Sequence, residues 1–186
     1  QCVHMTDLGQ QDIDTLLQHG AHVVHCPRSN MKLASGACPV AKLKASGVNV
    51  AIGTDGAASN NRLNGFAEMQ AASLLAKLQS GDPTALSAIE SIKAATLDGA
   101  RALGLDGVTG SLEAGKSADI IALDTMRLSM GPSHSLASDI VYASSGTEVT
   151  WSWIAGKNVL KNRQLQTLDN DALADKAQAW RAKLLA

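Results

Sequence analysis

VNVAIGTDGAASNN, residues 48–61, holds the sharpest change of character in the chain. Val48, Val50 and Ile52 recur at every second position, the period of a buried strand. Gly53-Thr54 ends the run, and a single carboxylate, Asp55, stands at its C-terminal end. Gly, Ala, Ser and Asn come next, which is loop composition. In a parallel α/β barrel the C-terminal strand ends carry the chemistry. Two readings of Asp55 are open on these residues. One is a metal ligand and proton carrier in a hydrolase; the other is a cap on the next helix or a tight turn.

The residues upstream repeat a strand-then-helix rhythm. Gln1 to Met5 reads as the end of a strand with His4 near its tip. A helix over 11–19 comes after it, with Ile13, Leu16 and Leu17 on one face. Thr6, or a residue nearer Gln10, is its expected cap, and Gly20 its stop. AHVVHCP, 21–27, reads as a second strand closed by Pro27. Arg28-Ser29-Asn30 opens a loop, and 39–46 is a short helix with Val40 and Leu43 inward. The spacing of these strand tops, His4, Cys26 and Asp55, suits consecutive βα units of a parallel sheet.

Downstream, 62–80 is expected as a helix whose apolar positions are Phe66, Met69, Leu74, Leu75 and Leu78. A second helix spans 86–95, and Thr96 can cap a third. Near residue 106 the pattern changes. SADIIALD, 117–124, and EVTWSWIA, 148–155, read as strands, and Trp151 shares a side with Val149 and Trp153. Residues 155–158 read as a hairpin turn. Residues 126–138 are irregular, and 139–143 form a short strand or a turn of helix. Asp169 can cap a last helix through Lys183, with Leu173, Ala177, Trp180 and Leu184 on one face. The expected division is 1–105, βα units, and 106–186, hairpin-like β structure with a C-terminal helix. A lone hairpin is marginal in water, so these strands call for pairing partners. With no initiator Met and a strand at the outset, the chain is expected to be a piece of a longer one.

Composition narrows the function classes. Hydrophobic residues make up 45% of 186 but aromatics only 3%, so aliphatics and Ala must fill the core. The net charge of −1 without a basic run argues against a nucleic-acid surface. No apolar run reaches the roughly 18 residues needed to span a bilayer. Three cysteines, Cys2, Cys26 and Cys38, lack CxxC spacing. Reduced thiols in a cytoplasmic protein are the expectation.

Five histidines are present: His4, His19, His22, His25 and His134. The H-x-x-H-x-x-H run at 19, 22 and 25 has metal-like spacing, but His19 ends a helix, and His22 and His25 point to opposite faces of a strand. His25 is expected to be an orienting hydrogen-bonder. His4 and Asp55 both fall at strand tops, which converge on one site in a barrel. A His and a carboxylate suit acid–base work and metal-assisted hydrolysis. A catalytic zinc nevertheless takes about three protein ligands plus water. Met31, Leu33 and Met69 are read as core.

HCPRSNMKLASGACPV (25–40), GTDGAASNN (53–61), ATLDGARALG (95–104) and GSLEAGKSADIIALD (110–124) occur in that order. Together they resemble the amidohydrolase superfamily, in its chlorohydrolase and aminohydrolase branch, over essentially the whole chain. Within the branch the motifs are most similar to the 5′-methylthioadenosine/S-adenosylhomocysteine deaminases. The resemblance implies an α/β fold: the C-terminal part of a metal-dependent (β/α)8 barrel, strands 6–8, then part of a small β-sandwich and a C-terminal helix. His4 matches the family's strand-6 His and Asp55 its strand-8 Asp. The family's HxH pair, strand-5 His and Glu have no counterpart in these 186 residues.

The resemblance further implies that the full-length protein is a metal-dependent deaminase of an adenine nucleoside such as 5′-methylthioadenosine or S-adenosylhomocysteine. The neighbouring possibilities are other C–N or C–Cl hydrolases, such as a guanine deaminase or a triazine chlorohydrolase, and an inert fragment lacking the metal site. The implied cofactor is one divalent metal, zinc or else iron, with Asp55 as ligand. The resemblance implies that Asp55 takes a proton from water and delivers it to the departing ammonia, and that His4 holds the attacking oxygen or the tetrahedral intermediate. Ser29, Asn30, Ser59 and Asn61 lie beside the strand tops as candidate substrate contacts. The implied partner is a small purine nucleoside, without nucleic acid or membrane, and the full-length protein is expected to be a homo-oligomer. The 186-residue chain alone is expected to be inactive.

Overall fold

A computed structural model of the protein describes residues 1–185. Three short strands, β1 (Cys2–Val3), β2 (Val23–His25) and β3 (Val50–Ile52), form a parallel sheet in the order β1-β2-β3. Val23 lies opposite both Cys2 and Val50, and His25 opposite Ile52. Helix α1 (Gln10–Gln18) joins the first two strands; α2 (Pro27–Lys32) and α3 (Val40–Ala45) join the second pair. Ile13 and Leu16 of α1 and Val40 and Leu43 of α3 pack with Val23 and Val50 into one core. Burying such a side chain is worth roughly 1.5–3 kcal/mol.

Several local expectations are corrected. The N-cap of α1 is Gly9, the expected position nearer Gln10 and not Thr6, and Asp12 Oδ2 accepts its backbone N–H at 2.8 Å. Leu17 is exposed while Ile13 and Leu16 are buried. The second strand stops at His25, and residues 28–30 are helix rather than loop. Pro27 is the reason: at the first helical position its missing N–H costs nothing and its fixed φ favours the turn. Met31 and Leu33 lie on the outer side, about half exposed, and only Met69 of the expected trio is core.

Helix α4 (Gly65–Ser80) begins later than the apolar pattern suggests, because Asn64 caps it. Asn64 Oδ1 accepts the N–H groups of Phe66 and Ala67 at 2.9 and 3.1 Å. Its buried residues are Glu68, Met69, Ala72, Ser73 and Ala76, whereas Leu74 and Leu78 face out. Small residues let α4 lie close to its neighbours, so the large leucines do not mark the inner face. Helix α5 (Ala88–Ala95) starts behind a Ser87–Glu90 capping box, and α6 (Leu97–Ala102) starts after Thr96.

The antiparallel sheet comprises β4 (Ile120–Leu123), β5 (Val149–Ile154), β6 (Lys157–Lys161) and β7 (Gln164–Leu165), in that order. Trp151 and Trp153 stack with centroids 5.7 Å apart on one face, as their i, i+2 spacing predicts. Between β4 and β5 the chain forms α7 (Leu136–Ser138) and a π-helical turn, Asp139–Ala143. That turn is anchored to α4: Gln70 Nε2 donates to Tyr142 O at 2.8 Å, and the Ser73 and Tyr142 hydroxyls are 2.7 Å apart. Helix α8 (Asn170–Leu185) is capped by Asp169 as expected, but none of its residues is buried. Trp180, on the face shared with Leu173 and Leu184, is exposed.

Candidate active site

Two backbone kinks bring the site together. Asp55 comes after β3 with φ +61°, and His4 after β1 with φ +71°. Both are left-handed conformations, uncommon outside glycine but several-fold enriched in Asp and His. Each turns a side chain from its strand end toward the top of β2. His4 Nε2 lies 3.8 Å from Asp55 Oδ2.

The Asp55 carboxylate is held by three donors. The Ser29 and Ser59 hydroxyls donate to Oδ2 at 2.6 and 2.7 Å, and the Gly56 N–H donates to Oδ1 at 2.7 Å. The Ser29 bond, then those of Ser59 and Gly56, bring its pKa down to about 2. Donors to the charged form favour ionisation, so at neutral pH this group is a carboxylate. His4 is oriented by Asn30, whose Oδ1 lies 2.8 Å from His4 Nδ1. With the amide oxygen there, Nδ1 carries the proton.

Of the residues singled out in the sequence, Ser29, Asn30 and Ser59 converge on this pair. Ser29 and Asn30 are fully buried on α2 and hold Asp55 and His4 from behind. Asn61 touches neither: its Oδ1 accepts from Lys32 Nζ at 2.7 Å, and Lys32 also donates to Ala58 O at 2.9 Å. Lys32 thus clips the loop after β3 to the end of α2. Lys32, Asn60 and Glu68 are not evident from the sequence. The clue to Glu68 is its place at i, i+4, i+8 with Ala72 and Ala76, which puts a carboxylate on the buried face of α4.

His25 is not an orienting hydrogen-bonder. Its ring is buried, and neither nitrogen has a partner among the described residues. Burial, and then the proximity of His4, lower its pKa to about 4. The three cysteines are free.

Among the described residues no three of His, Cys, Asp or Glu are grouped closely enough to hold a metal ion. The Asp55 carboxylate fits one position of such a site, an ionised oxygen of the donor type zinc takes, and His4 stands beside it with Nε2 3.8 Å from Asp55 Oδ2. Asn30 Nδ2 adds a buried donor with no partner among the described residues beside the pair.

Comparison with known proteins places the chain in a family. Residues 1–159 match the amidohydrolase family. A 5-methylthioadenosine/S-adenosylhomocysteine deaminase from Teredinibacter turnerae is 52% identical over 183 residues, covering 98% of this chain and 41% of that protein. A solved structure of an adenosine deaminase from Xanthomonas campestris with bound zinc is 48% identical. It superposes with a TM-score of 0.95 over 97% of this chain and 41% of that one. An atrazine chlorohydrolase from Arthrobacter aurescens, 23% identical, shares the fold with a TM-score of 0.87 over 95% of this chain and 39% of its own. The chain thus spans about two fifths of the length of the curated relatives it matches.

Proposed function

The chain belongs to the amidohydrolase family, and on that premise we propose that the full-length protein is a metal-dependent deaminase of an adenine nucleoside. 5′-Methylthioadenosine and S-adenosylhomocysteine are the favoured substrates, in line with the names of its relatives at 52% and 48% identity. The observation that carries the reading is the Asp55 carboxylate, kept ionised by Ser29, Ser59 and Gly56 and faced by His4 at 3.8 Å. Chemistry at the C-terminal ends of parallel strands is the rule for this architecture.

In this reading Asp55 is a metal ligand and the proton carrier of the reaction. A divalent metal, zinc first and iron second, supplies the Lewis acidity that makes water nucleophilic near neutral pH. The Asp55 carboxylate accepts the proton released by water and returns it to the leaving ammonia. His4 Nε2 steadies the attacking oxygen, its tautomer set by Asn30. Ser29 and Asn30 serve substrate through the two groups they hold. Ser59 and Asn61, on the loop after β3, are the direct substrate-side candidates. The division at residue 105/106 separates the barrel units from the sheet that flanks them. The 186 residues alone carry too few ligands to hold the metal, so activity is assigned to the longer protein. Three free thiols suit a reducing, cytoplasmic setting.

A substrate panel with the full-length protein tests the reading. Ammonia release from 5′-methylthioadenosine or S-adenosylhomocysteine at a kcat/KM above roughly 10-fold that for guanine is expected. Preferential turnover of guanine, or chloride release from a chlorotriazine, would overturn it.

A further inference from the structure

Helix α4 buries a carboxylate that touches neither His4 nor Asp55, yet bonds to the loop that carries Asp55 and to the helix whose Ser29 and Asn30 hold the pair. Glu68 has no exposed surface. Its Oε1 accepts from Asn60 Nδ2 at 2.7 Å, and its Oε2 accepts the backbone N–H of Arg28 at 3.2 Å. The Arg28 guanidinium adds a charge, with Nε 3.5 Å from Oε1.

Each contact leads to the site. Asn60 Nδ2 also donates to Thr54 O at 2.8 Å, the carbonyl of the peptide that enters Asp55. Asn60 Oδ1 accepts the N–H of Arg62 at 3.2 Å, and its own N–H donates to Gly56 O at 2.9 Å. The side chain therefore spans the loop around Asp55 and fixes the peptide that sets its left-handed φ. Such a backbone persists only where its surroundings hold it.

Arg28 is the second residue of α2, and no side chain caps that helix. The first N–H groups of a helix have no partner of their own. Glu68 Oε2 satisfies one from across the interface, at 3.2 Å from Arg28 N. The next two residues, Ser29 and Asn30, hold Asp55 and His4. One buried carboxylate thus anchors both halves of the Ser29–Asp55 contact.

We propose that Glu68, with Asn60 as its relay, is a positioning residue that fixes Asp55 relative to Ser29 and His4. The inference rests on the proposed deaminase reading for its effect on turnover, though not for its effect on the loop. Unlike a helix cap serving stability alone, this network registers two segments against each other.

The test uses the full-length protein carrying Glu68→Ala or Asn60→Ala, with Glu148→Gln as a comparison that removes a buried carboxylate elsewhere. In the metal-free protein, exchange of the Gly56 N–H is expected to accelerate by about 10-fold or more in Glu68→Ala and Asn60→Ala, but not in Glu148→Gln. In the holoenzyme, kcat is expected to fall by about 100-fold while KM changes by less than about threefold. Unchanged Gly56 exchange in a folded variant, or a kcat loss matched by Glu148→Gln, would overturn the proposal. If Glu68→Ala does not fold, Asn60→Ala decides, since it severs the Thr54 link and leaves Glu68 on Arg28. Faster Gly56 exchange together with unimpaired turnover in Asp55→Asn would instead sink the deaminase reading and leave the positioning role of Glu68 standing.

Discussion

Ser29 Oγ donates to Asp55 Oδ2 at 2.6 Å, linking the first turn of α2 to the loop after β3. Its neighbour Asn30 makes the equivalent link to His4, so one short helix orients both functional groups. Pro27 makes this possible by starting the helix directly after β2, which lies between β1 and β3 in the sheet.

Removing the Ser29 hydroxyl withdraws the largest single support of the ionised Asp55. Ser29→Ala in the full-length protein is therefore expected to lower kcat by roughly 10- to 100-fold. Steady-state kinetics check this, and Ser29→Thr, which keeps the hydroxyl, is expected to retain more activity.

His25 should make stability depend on pH in a defined window. Its folded pKa is depressed from 6.5 to about 4, so the unfolded chain binds the proton more tightly. The stability is fully present above pH 6.5 and is lost as pH falls toward 4. The shift corresponds to roughly 3 kcal/mol. Denaturant unfolding across that window measures the loss, and His25→Leu should flatten it.

Glu148 should act at lower pH. Burial pushes its pKa up, but Ser144 Oγ at 2.8 Å and the Ser145 and Gly146 N–H groups at 3.0 Å bring it down to about 2. A depressed carboxylate contributes stability above its unfolded pKa of about 4.3 and loses it as pH falls toward 2. Thermal unfolding of Glu148→Gln should show a lower Tm at about pH 7 and a weaker decline between about pH 4 and pH 2.

Asn64 links the start of α4 to the segment before β5. Its Oδ1 caps α4, and its Nδ2 donates to Ser145 O at 2.7 Å. Asn64→Ala is expected to cost about 1–2 kcal/mol. Equilibrium unfolding measures it, and a change below about 0.5 kcal/mol would show that the cap contributes little.

Much of the architecture is legible in the sequence because its signals are local. Period-two runs mark β3 and β5, Gly20 and Gly47 mark helix ends, and Asp169 marks the start of α8. The helix at 27–32 stays hidden because six residues are too few to show a period. The inner face of α4 is misleading in sequence because its packing uses Ala and Ser while Leu74 and Leu78 face out. His4 and Asp55 stand out as reactive side chains at strand tops. Their mutual approach depends on two left-handed residues, and no propensity announces those in advance. The roles of Glu68 and Asn60 are silent for a related reason. Spacing along α4 places Glu68 on the buried face, but its bonds to Asn60 and Arg28 join distant segments, which spacing along one element does not encode.

Ammonia release from 5′-methylthioadenosine by the zinc-loaded full-length protein, wild type against Asp55→Asn, tests the central claim most directly. The substitution preserves shape and removes the charge. A fall in kcat/KM of about 1000-fold or more, with the fold intact by circular dichroism, is the predicted result. Turnover within about threefold of wild type would contradict it.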